Sequence, residues 1–172
     1  MTVDELNDLP DGRATELFTA CCGSSHWVER MSGRRPFASA PAVFSAADEI
    51  WRGLAKRDWL EAFAHHPRIG EEAANVAQSE RARNWSAGEQ ASVTRASESI
   101  RLAQKDMNAQ YERRFGYIYI VCATGKSPNE LFGIARDRLS NDPETELRVA
   151  AEEQRKITRL RLEKLLDHPN EP

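Results

Sequence analysis

The hydrophobic positions of this chain mark out a run of helices separated by short connections that contain glycine or proline. Residues 13–21 and 26–31 read as short helices, followed by a connection over 33–41. A clearer helix starts at Ser45, where Ser45-x-x-Asp48 resembles a helix start, and carries Ile50, Trp51 and Leu54. The next, over 58–64, places Trp59, Leu60 and Phe63 on one apolar face. It must stop near His66, because the residue before a proline is pushed out of the helical region. Ser86-Ala87-Gly88-Glu89 then reads as a capping box that opens a long polar helix reaching Tyr111. The segment 117–122, Tyr-Ile-Tyr-Ile-Val-Cys, is the one stretch with strong extended propensity, and Gly125 breaks it. A second capping box at Ser127-Pro128-Asn129-Glu130 predicts a helix to about Ser140, with proline at its first position. Asp142-Pro143-Glu144 starts the last helix, which runs to about Leu166.

That last helix carries an anomaly. Ala150, Gln154, Ile157, Arg161 and Leu165 recur at three- or four-residue spacing and share a face, so Arg161 sits in the inward stripe while Arg155 and Arg159 point elsewhere. An unpaired buried charge is too costly to keep, so Arg161 needs an acceptor, either an internal carboxylate or a ligand anion. The pattern as a whole predicts an all-α, single-domain helical bundle over residues 1–172, with a short extended segment before the penultimate helix.

Composition adds limits. The chain has 172 residues, enough for one real core, with 40% hydrophobic and 30% charged residues, as in globular proteins. A net charge of -3 gives no electrostatic reason to expect nucleic acid or an anionic membrane as partner. Three cysteines, two of them adjacent (Cys21, Cys22 and Cys122), form no disulfide framework and point to a reducing compartment. The N-terminus lacks a signal peptide's apolar run, no stretch is long enough to span a membrane, and the C-terminus is not the peroxisomal Ser-Lys-Leu. The cytoplasm is the expected compartment.

Several chemistries fall away. Gly125-Lys126-Ser127 is not a phosphate-binding loop, because the position five residues before Gly125 is Ile120 rather than glycine. No His-Glu-x-x-His or Cys-x-x-Cys is present; adjacent histidines with Glu71 or Glu72 are the best metal alternative, and no metal is expected. Cys122 lies among apolar residues, where a free cysteine behaves as a small hydrophobe. Two features remain. His66, at a helix end and fixed by Pro67, is well presented for acid–base work because imidazole as a residue type ordinarily titrates near neutrality, although the same dipeptide at His168-Pro169 reads as a frayed end. Ser86, Glu89 and Gln90 offer a hydroxyl, a carboxylate and an amide; capping accounts for the first two but not for Gln90, and the set also suits a small polar ligand.

Taken in order, these pieces resemble the 2-oxo-4-hydroxy-4-carboxy-5-ureidoimidazoline (OHCU) decarboxylase family. The matching stretches are Asp58-Trp59-Leu60-Glu61-Ala62-Phe63-Ala64-His65-His66-Pro67-Arg68-Ile69-Gly70 and Ser86-x-x-Glu89-Gln90. Asn108-x-x-Tyr111-x-x-x-Phe115-Gly116, the 119–127 segment, Arg138-Leu139-x-Asn141 and Lys156-Ile157-x-x-x-Arg161-Leu162 follow. The resemblance implies an all-helical homodimer that converts OHCU to S-allantoin and carbon dioxide without metal or organic cofactor. It implies His66 and Glu89 as catalytic residues. Pro67, Ser86, Gln90, Arg161 and backbone groups near Tyr119 and Ile120 are the implied substrate contacts. Whether His66 or Glu89 is the immediate proton donor stays open. The chain departs from the family in reading Ala91-Ser92-Val93-Thr94 where a small Ala-Gly pair follows Gln90. Its segment 117–119 is Tyr-Ile-Tyr, where more phenylalanine and proline are expected. Two rival readings are an inactive or repurposed member that binds another small ureido or carboxylate ligand, and a helical interaction module.

Overall fold

A computed structural model describes residues 1–69, 79–91 and 98–167. Glu71, Glu72, the Ser92-Val93-Thr94 departure and His168-Pro169 lie outside the described residues. Nine helices account for most of the rest: α1 (Val3–Asp8), α2 (Asp11–Cys21), α3 (Ser25–Gly33), α4 (Ala40–Arg52), α5 (Lys56–Ala64), α6 (Glu80–Glu89), α7 (Glu98–Phe115), α8 (Pro128–Arg138) and α9 (Pro143–Asp167). Among the described residues there is no strand, and the segment 117–122 that the sequence reads as extended lies outside the helices, between α7 and α8. No described helix is long and apolar enough to cross a membrane.

The chain divides into two compact units, residues 1–62 with 155–172 and residues 63–154. In the first unit, Phe18, Trp27, Met31, Val43 and Leu162 are wholly buried. The indole of Trp27 donates to the Ala47 carbonyl (3.2 Å), which satisfies its one polar atom inside that core. In the second unit, Met107 and Tyr111 of α7 pack with Tyr119, Val121 and Ala123 of the extended segment and with Leu131 and Ala135 of α8.

Several boundaries follow local chemistry legible in the sequence. Ser127 and Glu130 form the reciprocal capping box at α8. Asp142 accepts from the Glu144 and Thr145 amides at the start of α9. α7 ends at Gly116, whose φ of 80° is available to glycine at no steric cost, and Gly125 turns the chain at φ 78°. Three expectations are corrected. α1 is a helix that the hydrophobic pattern does not mark, and Thr2 and Glu5 form a capping box there. α4 begins at Ala40, because Ser39 accepts from the Ala42 amide (3.4 Å) and Pro41 fits the first turn; Ser45 is therefore internal. Ser86 does not open a helix. Ser79 caps α6 seven residues earlier, accepting from the Ala82 amide (3.3 Å), so Ser86 and Glu89 lie in the last turn and Gln90 is the C-cap.

Candidate active site

His66 follows the last turn of α5, its amide bonded to the Phe63 carbonyl at 3.1 Å. The ring is half-buried and Pro67 is buried. The turn after it is tied to α7 at two points. Arg68 forks onto Glu112, Nε to Oε2 at 3.1 Å and Nη2 to Oε1 at 2.9 Å. The Asn108 amide donates to the Ile69 carbonyl at 2.8 Å and accepts from Gln104 at 3.0 Å. Gln104, Asn108 and Glu112 stand at four-residue spacing, one stripe of α7, so a single helix face fixes the backbone that carries His66. Beneath them Phe63 packs on Tyr117, ring centroids 5.4 Å apart.

Ser86 is buried, Gln90 nearly so, and Glu89 half-buried. Ser86 and Glu89 lie in the last turn of α6, where the backbone groups that helix leaves unpaired are carbonyls. A ligand presenting its own N–H groups suits this end. The extended segment lies close by: Glu89, after Glu153, is among the carboxylates that add to burial in pushing the Cys122 thiol above its ordinary value. Cys122 is thus the inert buried thiol that its apolar neighbours predict.

Tyr119 and Ile120 are both 2% exposed. The Tyr119 hydroxyl donates to the Leu131 carbonyl at 3.3 Å, and its ring meets that of Tyr111 edge-on at 5.2 Å. Burial, partly offset by the Arg138 charge, raises the Tyr119 pKa above the phenol range. The segment's backbone is held from three sides. Arg138 donates to the Ile120 carbonyl (2.9 Å), Cys122 N–H donates to Glu153 Oε2 (2.8 Å), and Lys126 Nζ donates to the Cys122 carbonyl (2.7 Å).

His66, Pro67, Ser86, Glu89, Gln90, Tyr119 and Ile120 thus all fall in the second unit, and Arg161 falls in the first. Arg161 is 3% exposed, in a stripe whose other members, Ala150, Gln154, Ile157 and Leu165, are buried too, as the periodicity predicts. One internal acceptor is a backbone carbonyl: Nη1 donates to Ala20 O at 3.3 Å. Arg155 pairs with Asp48, and Arg159 with Glu163. The polar residues that pin the site, Asn108, Glu112 and Arg138, received no role from the sequence. The signal existed for Arg138, which follows Leu131 and Ala135 on the buried stripe of α8 just as Arg161 does on α9.

The chain is 37% identical to the uric acid degradation bifunctional protein TTL of Arabidopsis thaliana over 84% of its own length, but spans only 45% of that relative. It is 26% identical to the 2-oxo-4-hydroxy-4-carboxy-5-ureidoimidazoline decarboxylase of Haloferax volcanii, over 94% of each chain. A crystal structure of OHCU decarboxylase in the presence of (S)-allantoin superposes with a TM-score of 0.77 at 32% identity, covering 89% of this chain and 99% of that one. The family model for OHCU decarboxylase matches residues 7–163, a span that takes in every candidate residue named above, and on that match this chain belongs to the OHCU decarboxylase family.

Proposed function

We propose that this chain removes the carboxyl group of OHCU to give S-allantoin and carbon dioxide, the last step from urate. The observation that carries the reading is the family match over residues 7–163. The half-buried His66 at the end of α5, on a turn tied twice to α7, supplies the matching chemistry.

The substrate needs no external electron sink. The ring carbon that loses carbon dioxide also bears a hydroxyl, and the neighbouring ring carbon is an imine. As the carbon–carboxylate bond breaks, its electron pair moves into the bond between those two carbons, and the imine nitrogen takes up a proton. The enol formed then loses its hydroxyl proton to become the carbonyl of allantoin. Its ureido-bearing carbon gains a proton on one face, which sets the S configuration. An adjacent imine does what a bound cofactor does for substrates that lack a sink. In our reading His66, coupled to Glu89, withdraws the hydroxyl proton and the pair returns one to carbon. Arg161 takes an anionic group of the substrate bidentately. Ser86 and Gln90 bond the ureido group, whose N–H donors suit the carbonyl-rich end of α6. Pro67 and the backbone near Tyr119 and Ile120 complete the contacts. A carboxy-lyase acting as a cytoplasmic homodimer, built as one domain over 1–172, belongs to the same proposal.

The test is optical. OHCU is generated in place from urate with an oxidase and a hydrolase, and circular dichroism follows chiral allantoin. Rapid S-allantoin formation, unaffected by chelator and abolished by His66→Ala, is the expected result. A folded chain that gives no acceleration over spontaneous decay would overturn the reading in favour of a member that binds a related ligand without turnover.

A further inference from the structure

The second unit contains a buried ion pair that the proposed reaction does not use. Glu146, in the first turn of α9, is wholly buried. Its Oε1 accepts from Arg138 Nε (2.8 Å) and Nη2 (2.5 Å) and from the Tyr111 hydroxyl, and its Oε2 accepts from Asn141 Nδ2 (2.7 Å). Arg138 is 7% exposed and lies over the Tyr119 ring, 5.0 Å from its centroid. A buried pair of this kind is weak evidence for stability, because well-packed apolar residues of similar volume often replace it without loss. What apolar packing could not reproduce is the remaining arm of the guanidinium. Nη1 leaves the network and donates to the Ile120 carbonyl at 2.9 Å.

We propose that Arg138, clamped by Glu146, is a positioning residue for the decarboxylase: it fixes the Ile120–Val121 peptide so that the substrate meets this segment in one backbone orientation. The proposal rests on the reading above, in which backbone near Tyr119 and Ile120 contacts substrate. The physical argument is geometric. A peptide unit is planar and trans, so holding the Ile120 carbonyl toward Arg138 turns the Val121 N–H the opposite way. The guanidinium is itself planar, and two of its nitrogens are committed to Glu146, which leaves the third no freedom of direction. Lysine keeps the charge but not the fork.

The test must separate positioning from folding. Arg138→Met alone strands a buried carboxylate, so two other proteins are used. One is Arg138→Lys. The other is the triple variant Arg138→Met, Glu146→Leu and Tyr111→Phe, which removes the ion pair together with the buried carboxylate and hydroxyl it would otherwise strand. In ¹⁵N-valine-labelled protein the Val121 amide resonance should move in both variants, since it senses the bond to the preceding carbonyl. In the coupled assay KM should rise on the order of tenfold and kcat/KM fall about 100-fold in the triple variant, with Arg138→Lys between it and wild type. A loss of folded protein alone would lower apparent kcat at unchanged KM. Variants that fold and keep wild-type KM and kcat would overturn the proposal. A wild-type chain without decarboxylase activity would remove the functional reading and the catalytic half of this inference with it. The Val121 resonance would still show whether Arg138 holds the peptide.

Discussion

Two inward arginines, both on buried stripes, have their donors answered in different ways. Arg138 finds a buried carboxylate and spends one arm on the Ile120 carbonyl, whereas the acceptor seen for Arg161 is the Ala20 carbonyl. The catalytic pairing is testable at single residues. His66→Asn and Glu89→Gln should each lower kcat by about 10² to 10⁴, the usual contribution of a positioned acid or base. If the two act as one relay, the double variant should lose little more than the worse single one. Near-normal turnover in both single variants would remove the pairing.

At the scale of elements, local chemistry sets the ends and long-range contacts set the positions. Ser127→Ala removes one arm of the α8 capping box, and Ser79→Ala removes the α6 cap. Each should cost about 1 kcal/mol, read as a lower urea midpoint at unchanged slope. Absence of any cost for Ser79→Ala would contradict the start of α6 and with it the placement of Glu89 in a last turn. The tie between the His66 turn and α7 should behave differently. Arg68 and Glu112 are both more than a third exposed, so Arg68→Ala is expected to cost under about 1 kcal/mol in stability. Its effect should appear instead in kcat, because the backbone that aims His66 loses one of its two ties; unchanged kcat in the Arg68→Ala protein would show that the Asn108 contact suffices.

For the whole molecule, ionisation bounds the range of stability on both sides. Asp58 is held below the ordinary aspartate range by its hydrogen bond to His26 (2.7 Å), and Glu130 and Asp142 are depressed by capping contacts with Ser127 and with Thr145. Groups depressed in the folded state contribute fully above their unfolded values, and the contribution is lost as pH falls through the folded ones. Denaturation midpoints should therefore drop below about pH 4 to 4.5. On the alkaline side the sign reverses. Burial pushes the Cys22 thiol from 9.0 up to about 11 and the Tyr117 hydroxyl from 10.0 up to about 12. The unfolded chain releases those protons first, so stability holds below about pH 9 and declines above it. Asp58→Asn should flatten the acid limb and Cys22→Ala the alkaline one. A midpoint that is level from pH 3 to 11 would contradict both assignments.

Sequence alone determined the helical class, the non-helical 117–122 segment, the ends of α8 and α9, and the inward face of Arg161. These depend on backbone conformation and on spacing within a single turn or helix, which neighbouring residues settle among themselves. It also carried the family motifs, since their residues keep a fixed order along the chain. It misplaced the start of α6, because Ser79 and Ser86 are both competent caps and local sequence does not decide between them. The anchoring of the site was decided by tertiary structure. Arg68 with Glu112, Asn108 with Ile69, and Arg138 with Ile120 lie 44, 39 and 18 residues apart. No local rule joins residues at that separation; they meet because packing α7, α8 and the 117–123 segment together brings them within reach.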